Sequence, residues 1–244
     1  MRACLLALVI LVASAQSQPL TADDILQRVD RNMASKTKIV KMKMIIHSRR
    51  NVRTIEARIY MQGTEKSYTE YLSPPREKGT KMLKLGKQLW IYSPDVDRTI
   101  KIAGHMLRQS VMGSDLSYED MMEDQTLSGL YRAKIVAQDT IDNRPCWVLE
   151  LTAKKKDVAY QTRKVWVDRN HFVLLKEQRF AKSGRLLKTT TVKEVKAIGK
   201  RWVPVKIVFK DELKKGAGTE FIIKSVRFDV AIPQYIFSKA SLRK

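Results

Sequence analysis

The chain is poor in cysteine, glycine, proline, histidine and acid, and each shortage closes off a class of protein. Its 244 residues hold two Cys, one of them Cys4 close to the amino terminus, so no disulfide framework replaces a hydrophobic core. Ten Gly and seven Pro, scattered without a fixed period, exclude collagen-like, low-complexity and solenoid architectures. The three His, His47, His105 and His171, share no metal-ligand spacing with one another, with Cys or with a carboxylate pair, so neither metal nor other cofactor is expected. There is no glycine-rich phosphate loop, and Gly113-Ser114-Asp115 reads as a turn entering a helix. His105, Ser114 and Asp115 are residue types of an acyl-transfer triad, but no nucleophile-elbow motif surrounds Ser114; no catalytic residue is assigned and no enzyme is expected.

What the chain has is base and apolar residues: 47 Lys+Arg against 25 Asp+Glu, a formal net charge of +22, and 44% apolar residues. That composition excludes a disordered chain and suggests a polyanionic partner, nucleic acid or an anionic membrane surface. Residues 1–15, MRACLLALVILVASA, choose between them. One Arg, an apolar run from Ala3 to Ala13 and the small-x-small triplet Ala13-Ser14-Ala15 read as a signal peptide cleaved after Ala15. The run is about half of the roughly 20 residues needed to span a bilayer, which makes an uncleaved anchor the weaker alternative. An exported protein does not meet the genome, so no nucleic acid partner is expected. Cleavage leaves Cys146 as the one thiol, within the apolar strand-like run Pro145–Leu149, where a buried thiol is the expectation.

Thr21-Ala22-Asp23-Asp24 has the form of a capping box and predicts a helix over 22–34, with Ile25, Leu26, Val29 and Met33 as one apolar stripe to pack on a sheet. From Val40 the period is two. Val40, Met42, Met44 and Ile46, then Ile55, Ala57, Ile59 and Met61, mark half-buried antiparallel strands. Further strand-length segments are expected at 66–73, 80–85, 88–93, 97–102, 131–138, 145–153, 162–168, 172–180, 186–196, 202–210 and 219–229, separated by Gly, Pro, Asn and Asp turns. Short turns with no helix between strands predict a mainly β protein: one curved antiparallel sheet, or half-open β-barrel, with two helical elements, about 22–34 and 104–128, covering the concave face. Residues 16–244 are expected to form a single domain.

Eight of the ten Met fall on the first strands' inward faces or in 104–128: Met42, Met44, Met61, Met82, Met106, Met112, Met121 and Met122. Met repacks readily, which suits a surface accepting varied apolar ligands and equally an ordinary core. From Gln109 to Tyr131 there is no Lys or Arg, while Asp115, Glu119, Asp120, Glu123 and Asp124 supply five acids. An acidic cover on a basic sheet is expected to be held by ion pairs at its rim, as a lid over a lipid-sized cavity; a solvated acidic helix face is the plain alternative. The expected lining is Met42, Met44, Ile55, Ile59, Met61, Leu83 and Trp90 from the strands, with Met106, Leu107, Met112, Met121 and Met122 from the cover. Arg98, Lys101, His105 and Arg108 are expected at the rim, facing anionic headgroups.

Residues 77–121, EKGTKMLKLGKQLWIYSPDVDRTIKIAGHMLRQSVMGSDLSYEDM, resemble the bacterial outer-membrane lipoprotein-sorting proteins of the LolA-like family. The Gly-Thr start, Trp90-Ile91-Tyr92-Ser93-Pro94, Arg98 and the stretch from Met112 to Asp120 carry the likeness. It continues in Asn143–Leu151, Trp166-Val167-Asp168, Lys182–Lys188, Arg201–Pro204 and Phe228-Asp229-Val230, covering about Thr21 to Phe237. The resemblance implies a half-open barrel closed by helices, a cavity for acyl chains, and transfer of lipids or lipoproteins between inner and outer membrane through the periplasm without catalysis. It further implies an inner-membrane transporter of MMPL/RND or ABC type as donor. The runner-up is an envelope lipid or lipoprotein sensor built on the same fold. Residues 16–150 carry 22 basic and 17 acidic side chains, and residues 151–244 carry 24 and 8, so the later strands are expected to present a basic face to an anionic membrane or an acidic transporter surface.

Overall fold

The computed structural model describes residues 20–48, 51–123 and 126–243. The expected signal peptide, its cleavage point after Ala15, and Asp124 lie outside the described residues.

Helix α1 runs Ala22–Met33 and opens on the expected capping box. The Thr21 N–H and hydroxyl both donate to the Asp24 carboxylate (3.1 and 2.6 Å), and the Asp24 N–H donates back to Thr21 Oγ1 (3.1 Å). Among the described residues thirteen strands follow: β1 Thr37–His47, β2 Val52–Gln62, β3 Lys66–Ser73, β4 Lys81–Leu85, β5 Gln88–Ser93, β6 Arg98–Ile102, β7 Tyr131–Ile141, β8 Arg144–Ala153, β9 Thr162–Asp168, β10 Leu174–Phe180, β11 Leu186–Ile198, β12 Arg201–Asp211 and β13 Gly218–Phe228. They form one antiparallel sheet in the order β6-β5-β4-β3-β2-β1-β13-β12-β11-β10-β9-β8-β7, which is not closed into a barrel. Two-residue turns set the tightest hairpins. Asp142 and Asn143, both at positive φ (48° and 62°), join β7 to β8, the conformation that Asx residues tolerate and that matches strand twist.

The first and last strands meet in the middle of the sheet, β1 pairing with β13 from Lys38↔Phe228 to His47↔Gly218. The single crossover is the β6–β7 connection, which leaves one free edge and crosses to the other. Sequence patterning predicts a helical cover over 104–128. The connection is instead broken into 3-10 turns at Gly104–Arg108 and Val111–Gly113 and two short helices, α2 Tyr118–Met122 and α3 Leu127–Leu130. Left-handed backbone at Gly104, Met112 and Gly113 breaks the helical run. The Arg53 guanidinium donates to the Met112 carbonyl, and a Cβ at Gly113 would lie 3.3 Å from it.

Alternation along the strands sorts the apolar residues into separate layers. On the inner face of the first half, Met42, Met44, Ile55, Ala57, Tyr71, Met82, Leu89, Ile91 and Ile102 are buried beneath Met106, Leu107, Met112, Tyr118, Met121 and Met122 of the cover. On the second half, α1 seats Ile25, Leu26 and Val29 against Tyr131, Leu149, Leu151, Val165 and Val167. Cys146, Val148, Trp166 and Leu175 form a further cluster; there the thiol is fully buried, and burial pushes its pKa up to about 11. After β13 the chain turns onto the outer face of β3–β5, where Ile232, Phe237 and Leu242 pack on Tyr68, Leu83 and Trp90.

Candidate ligand cavity

Helix α2 is held over the concave face by a capping box and by buried charge. Ser117 Oγ accepts from the Asp120 N–H (3.2 Å), while Asp120 accepts from the Ser117 N–H and hydroxyl (2.7 Å each), as the Ser-Tyr-Glu-Asp pattern predicts. Asp120 also takes Arg179 Nη1 and Lys188 Nζ (3.1 Å each) and the Tyr160 hydroxyl (2.7 Å). Burial would raise its pKa, but Arg179 and Lys188 hold it down at about 2. Just ahead of α2, Asp115 ties the cover to the sheet centre by accepting from the Thr219 hydroxyl (2.7 Å) and the Asp211 N–H (3.0 Å).

Past the end of α2, Glu123 pairs with Arg163, which also donates Nη1 to Glu177 (2.7 Å) and Nε to the Tyr131 hydroxyl (2.7 Å). Arg179 Nη2 reaches the other Glu177 oxygen (2.9 Å). Glu177 sits at about 2, because Arg179 and Arg163 outweigh burial. Glu123 goes the other way, since burial outweighs the arginines and raises its pKa. The ion pairs are therefore interior, whereas sequence reasoning places them at the rim. Arg163, Arg179 and Lys188 all point inward, against the expectation that bases of the later strands face outward. The missed signal was parity: Arg163 shares its strand face with Val165 and Val167, which line the core.

Between this charged wall and the apolar strands lies a cavity of about 340 Å³. Ile59, Met61, Ser67 and Thr69 form one side, Leu116, Asp120, Met121, Glu123 and Leu127 the cover, and Arg163, Leu174, Glu177, Arg179 and Phe209 the far side. A second space of about 390 Å³, here called the mouth, lies between the β2–β3 and β4–β5 turns and residues 155–159 and is bordered by Glu119, Met122 and Glu123. An apolar pocket of about 180 Å³ lies beneath α1, against Leu174, Val192, Ile207 and Phe209.

Of the expected lining, Ile59, Met61 and Met121 border the inner cavity and Met122 the mouth. Met42, Met44 and Ile55 surround a space of only about 40 Å³ and serve as filled core, on which Met106, Leu107 and Met112 pack. Leu83 and Trp90 lie apart from these. Met82 and Ile91 are paired and face inward, so their neighbours Leu83 and Trp90, also paired, face the opposite side under the C-terminal segment. Arg98 and Lys101 on edge strand β6, with His105 and Arg108 beyond it, are exposed and border none of these spaces. The Ser114 hydroxyl is engaged with the Leu116 backbone (3.2 and 3.3 Å). Among the described residues no three His, Cys, Asp or Glu side chains gather as a metal site, and no helix is long and apolar enough to cross a membrane.

The fold of this open, covered sheet is shared with solved structures of DUF1329 and LolA-superfamily proteins. A DUF1329 family protein from Desulfovibrio piger superposes with a TM-score of 0.83 at 23% identity, over 91% of this chain and 97% of that one. A domain described as outer membrane lipoprotein-sorting, from Vibrio parahaemolyticus, gives 0.80 at 24% identity over 91% and 98%. A LolA superfamily protein from Nitrosomonas europaea gives 0.73 at 25% identity over 91% and 100%. No curated protein matches the chain. A family profile described as an uncharacterized protein matches residues 63–244, and the chain belongs to that family.

Proposed function

We propose that the protein is an extracytoplasmic carrier, a single domain over residues 16–244 that shields acyl chains of lipids or lipoproteins between inner and outer membrane without chemistry. The observation that carries this reading is the covered cavity of about 340 Å³, whose size falls at the lower end of the roughly 300–1,000 Å³ of small-molecule sites. Ile59, Met61, Met121, Leu127, Leu174 and Phe209 give an acyl chain an apolar bed. Each methylene moved there from water contributes about 0.8 kcal/mol. The LolA superfamily fold of the Nitrosomonas protein supports the same reading. An inner-membrane transporter is the proposed donor, and the basic later strands the surface that docks on it or on anionic membrane.

The test is native mass spectrometry of protein purified from a bacterial envelope, followed by amide exchange on the lipid-free protein with and without an acyl ligand. Co-purified acyl species and slowed exchange across residues 104–123 are expected. A protein that carries no acyl species and shows unchanged exchange refutes carriage.

A further inference from the structure

The charged wall of the inner cavity is incompletely satisfied. Arg179 donates Nη1 to Asp120 and Nη2 to Glu177, yet its Nε, closed off from solvent, has no hydrogen-bond partner. Arg179 lines the inner cavity, and a small shift of its side chain brings this open N–H to an acceptor arriving with the ligand.

The three carboxylates that face the two arginines are not equally fixed. Glu177 is built into β10 and bridges both guanidinium groups. Asp120 is locked by its own capping box and by Lys188. Glu123 makes its one side-chain hydrogen bond, among the described residues, to Arg163. It lies just beyond the last residue of α2 and borders both the inner cavity and the mouth. The Glu123–Arg163 pair therefore stands at the boundary that the two spaces share. Burial already favours the neutral form of this carboxyl. At the mouth, Lys87 and Lys155 stand beside Glu119 and Asp157, a mixed-charge surrounding into which a released Glu123 side chain can turn.

We infer that Glu123 is an exchangeable plug on Arg163, and that the ligand displacing it is a single-chain amphiphile with an anionic head, a carboxylate or a phosphate, whose oxygens bind Arg163 and the open Nε of Arg179. A planar guanidinium fork matches a two-oxygen anion, and charge-assisted hydrogen bonds are about twice as strong as neutral ones. The inference rests on the carrier reading and adds the polarity of the head and the residue it replaces.

Isothermal titration of the full, lipid-free protein with dodecanoate, dodecyl phosphate, dodecan-1-ol and inorganic phosphate alone tests it. Either anionic amphiphile is expected to bind about tenfold or more tighter than the alcohol, and inorganic phosphate far more weakly than dodecyl phosphate. Glu123→Gln, which keeps the side-chain shape and removes the competing charge, tightens the anions several-fold and leaves the alcohol unchanged; Arg179→Gln erases the preference for the anions. Should the alcohol bind as well as dodecanoate, the head-group inference fails while carriage stands. Equal binding of inorganic phosphate and dodecyl phosphate overturns the amphiphile. Looser anion binding in Glu123→Gln overturns the plug, and no binding by any chain removes carriage and this inference together.

Discussion

Replacing Asp120 by Asn removes one charge at the point where the cover meets the sheet. Five donors converge on that carboxylate: the Ser117 N–H and hydroxyl, the Tyr160 hydroxyl, Arg179 and Lys188. The side chain is 1% exposed, so water offers no substitute. The fall of its pKa from 3.8 to about 2 corresponds to on the order of 2 kcal/mol at 1.36 kcal/mol per unit. Breaking a buried ion pair costs about 3–5 kcal/mol when the partner is stranded. Here Arg179 keeps Glu177 and Lys188 keeps Asp211 at 3.4 Å, which places the cost at the lower end. Asn preserves volume and one acceptor but turns an NH₂ toward donors. The expected loss is about 2–3 kcal/mol in urea unfolding at pH 7, read as a lower midpoint with unchanged slope. Amide exchange across residues 104–123 should accelerate at the same time, because the cover loses its anchor. Glu119→Gln, one position away and facing the mouth, serves as control and should change stability by less than about 0.5 kcal/mol. A loss under about 0.5 kcal/mol for Asp120→Asn, or unchanged exchange in the cover, refutes the anchoring role.

Acid acts on the same cluster with mixed sign. Asp120 and Glu177 lie at about 2 in the folded protein, below their ordinary 3.8 and 4.5, so their stabilisation is complete above about pH 4.5 and is lost as pH falls toward 2. Glu123, raised by burial, stabilises the fold on protonation as pH falls toward 4.5, so circular dichroism from pH 7 to 2 should show a plateau and then a steep loss; a loss centred above pH 5 contradicts this. Phe237→Ala empties the contact that the C-terminal segment makes on Tyr68, Leu83 and Trp90 and should cost about 3 kcal/mol in urea unfolding, with a cost under about 1 kcal/mol showing the segment to be dispensable. Met61→Trp projects into the inner cavity and should weaken acyl binding by about tenfold while altering stability by about 1–3 kcal/mol, whereas unchanged affinity places the acyl site elsewhere. Binding to anionic vesicles should fall steeply as salt rises, and equal binding to neutral vesicles removes the basic face as a docking surface.

Strand positions were legible because alternation is a local property. β3 and β5 coincide with the expected 66–73 and 88–93, and the two capping boxes form at Thr21 and Ser117 as their spacing predicts. Three features were hidden. The helical period of 104–128 was overridden by left-handed backbone at Met112 and Gly113, stabilised by Arg53, a residue far off in sequence. The side of β4 and β5 that faces the cover depends on what lies on the other face, and the chain beyond Phe228 shows no strand or helix period to announce that it covers Leu83 and Trp90. The arginines escaped notice because an alternating base in a strand ordinarily faces water. Only their pairing with acids 40 to 59 residues earlier in the chain, Glu123 to Arg163 and Asp120 to Arg179, makes burial tolerable.

The seam between β1 and β13 governs when the molecule can become itself. Every pair along it joins the chain's first strand to its last, as in His47 with Gly218. At about 5–20 residues per second, the ribosome needs roughly 9–36 s after completing β1 to deliver its partner. Throughout that interval β1 has β2 on one side and nothing on the other, and neither half of the sheet has its final neighbour. Contacts of such long range make folding slow and late. A fold that completes only with its last strand keeps the two halves of the sheet apart until the whole chain is available.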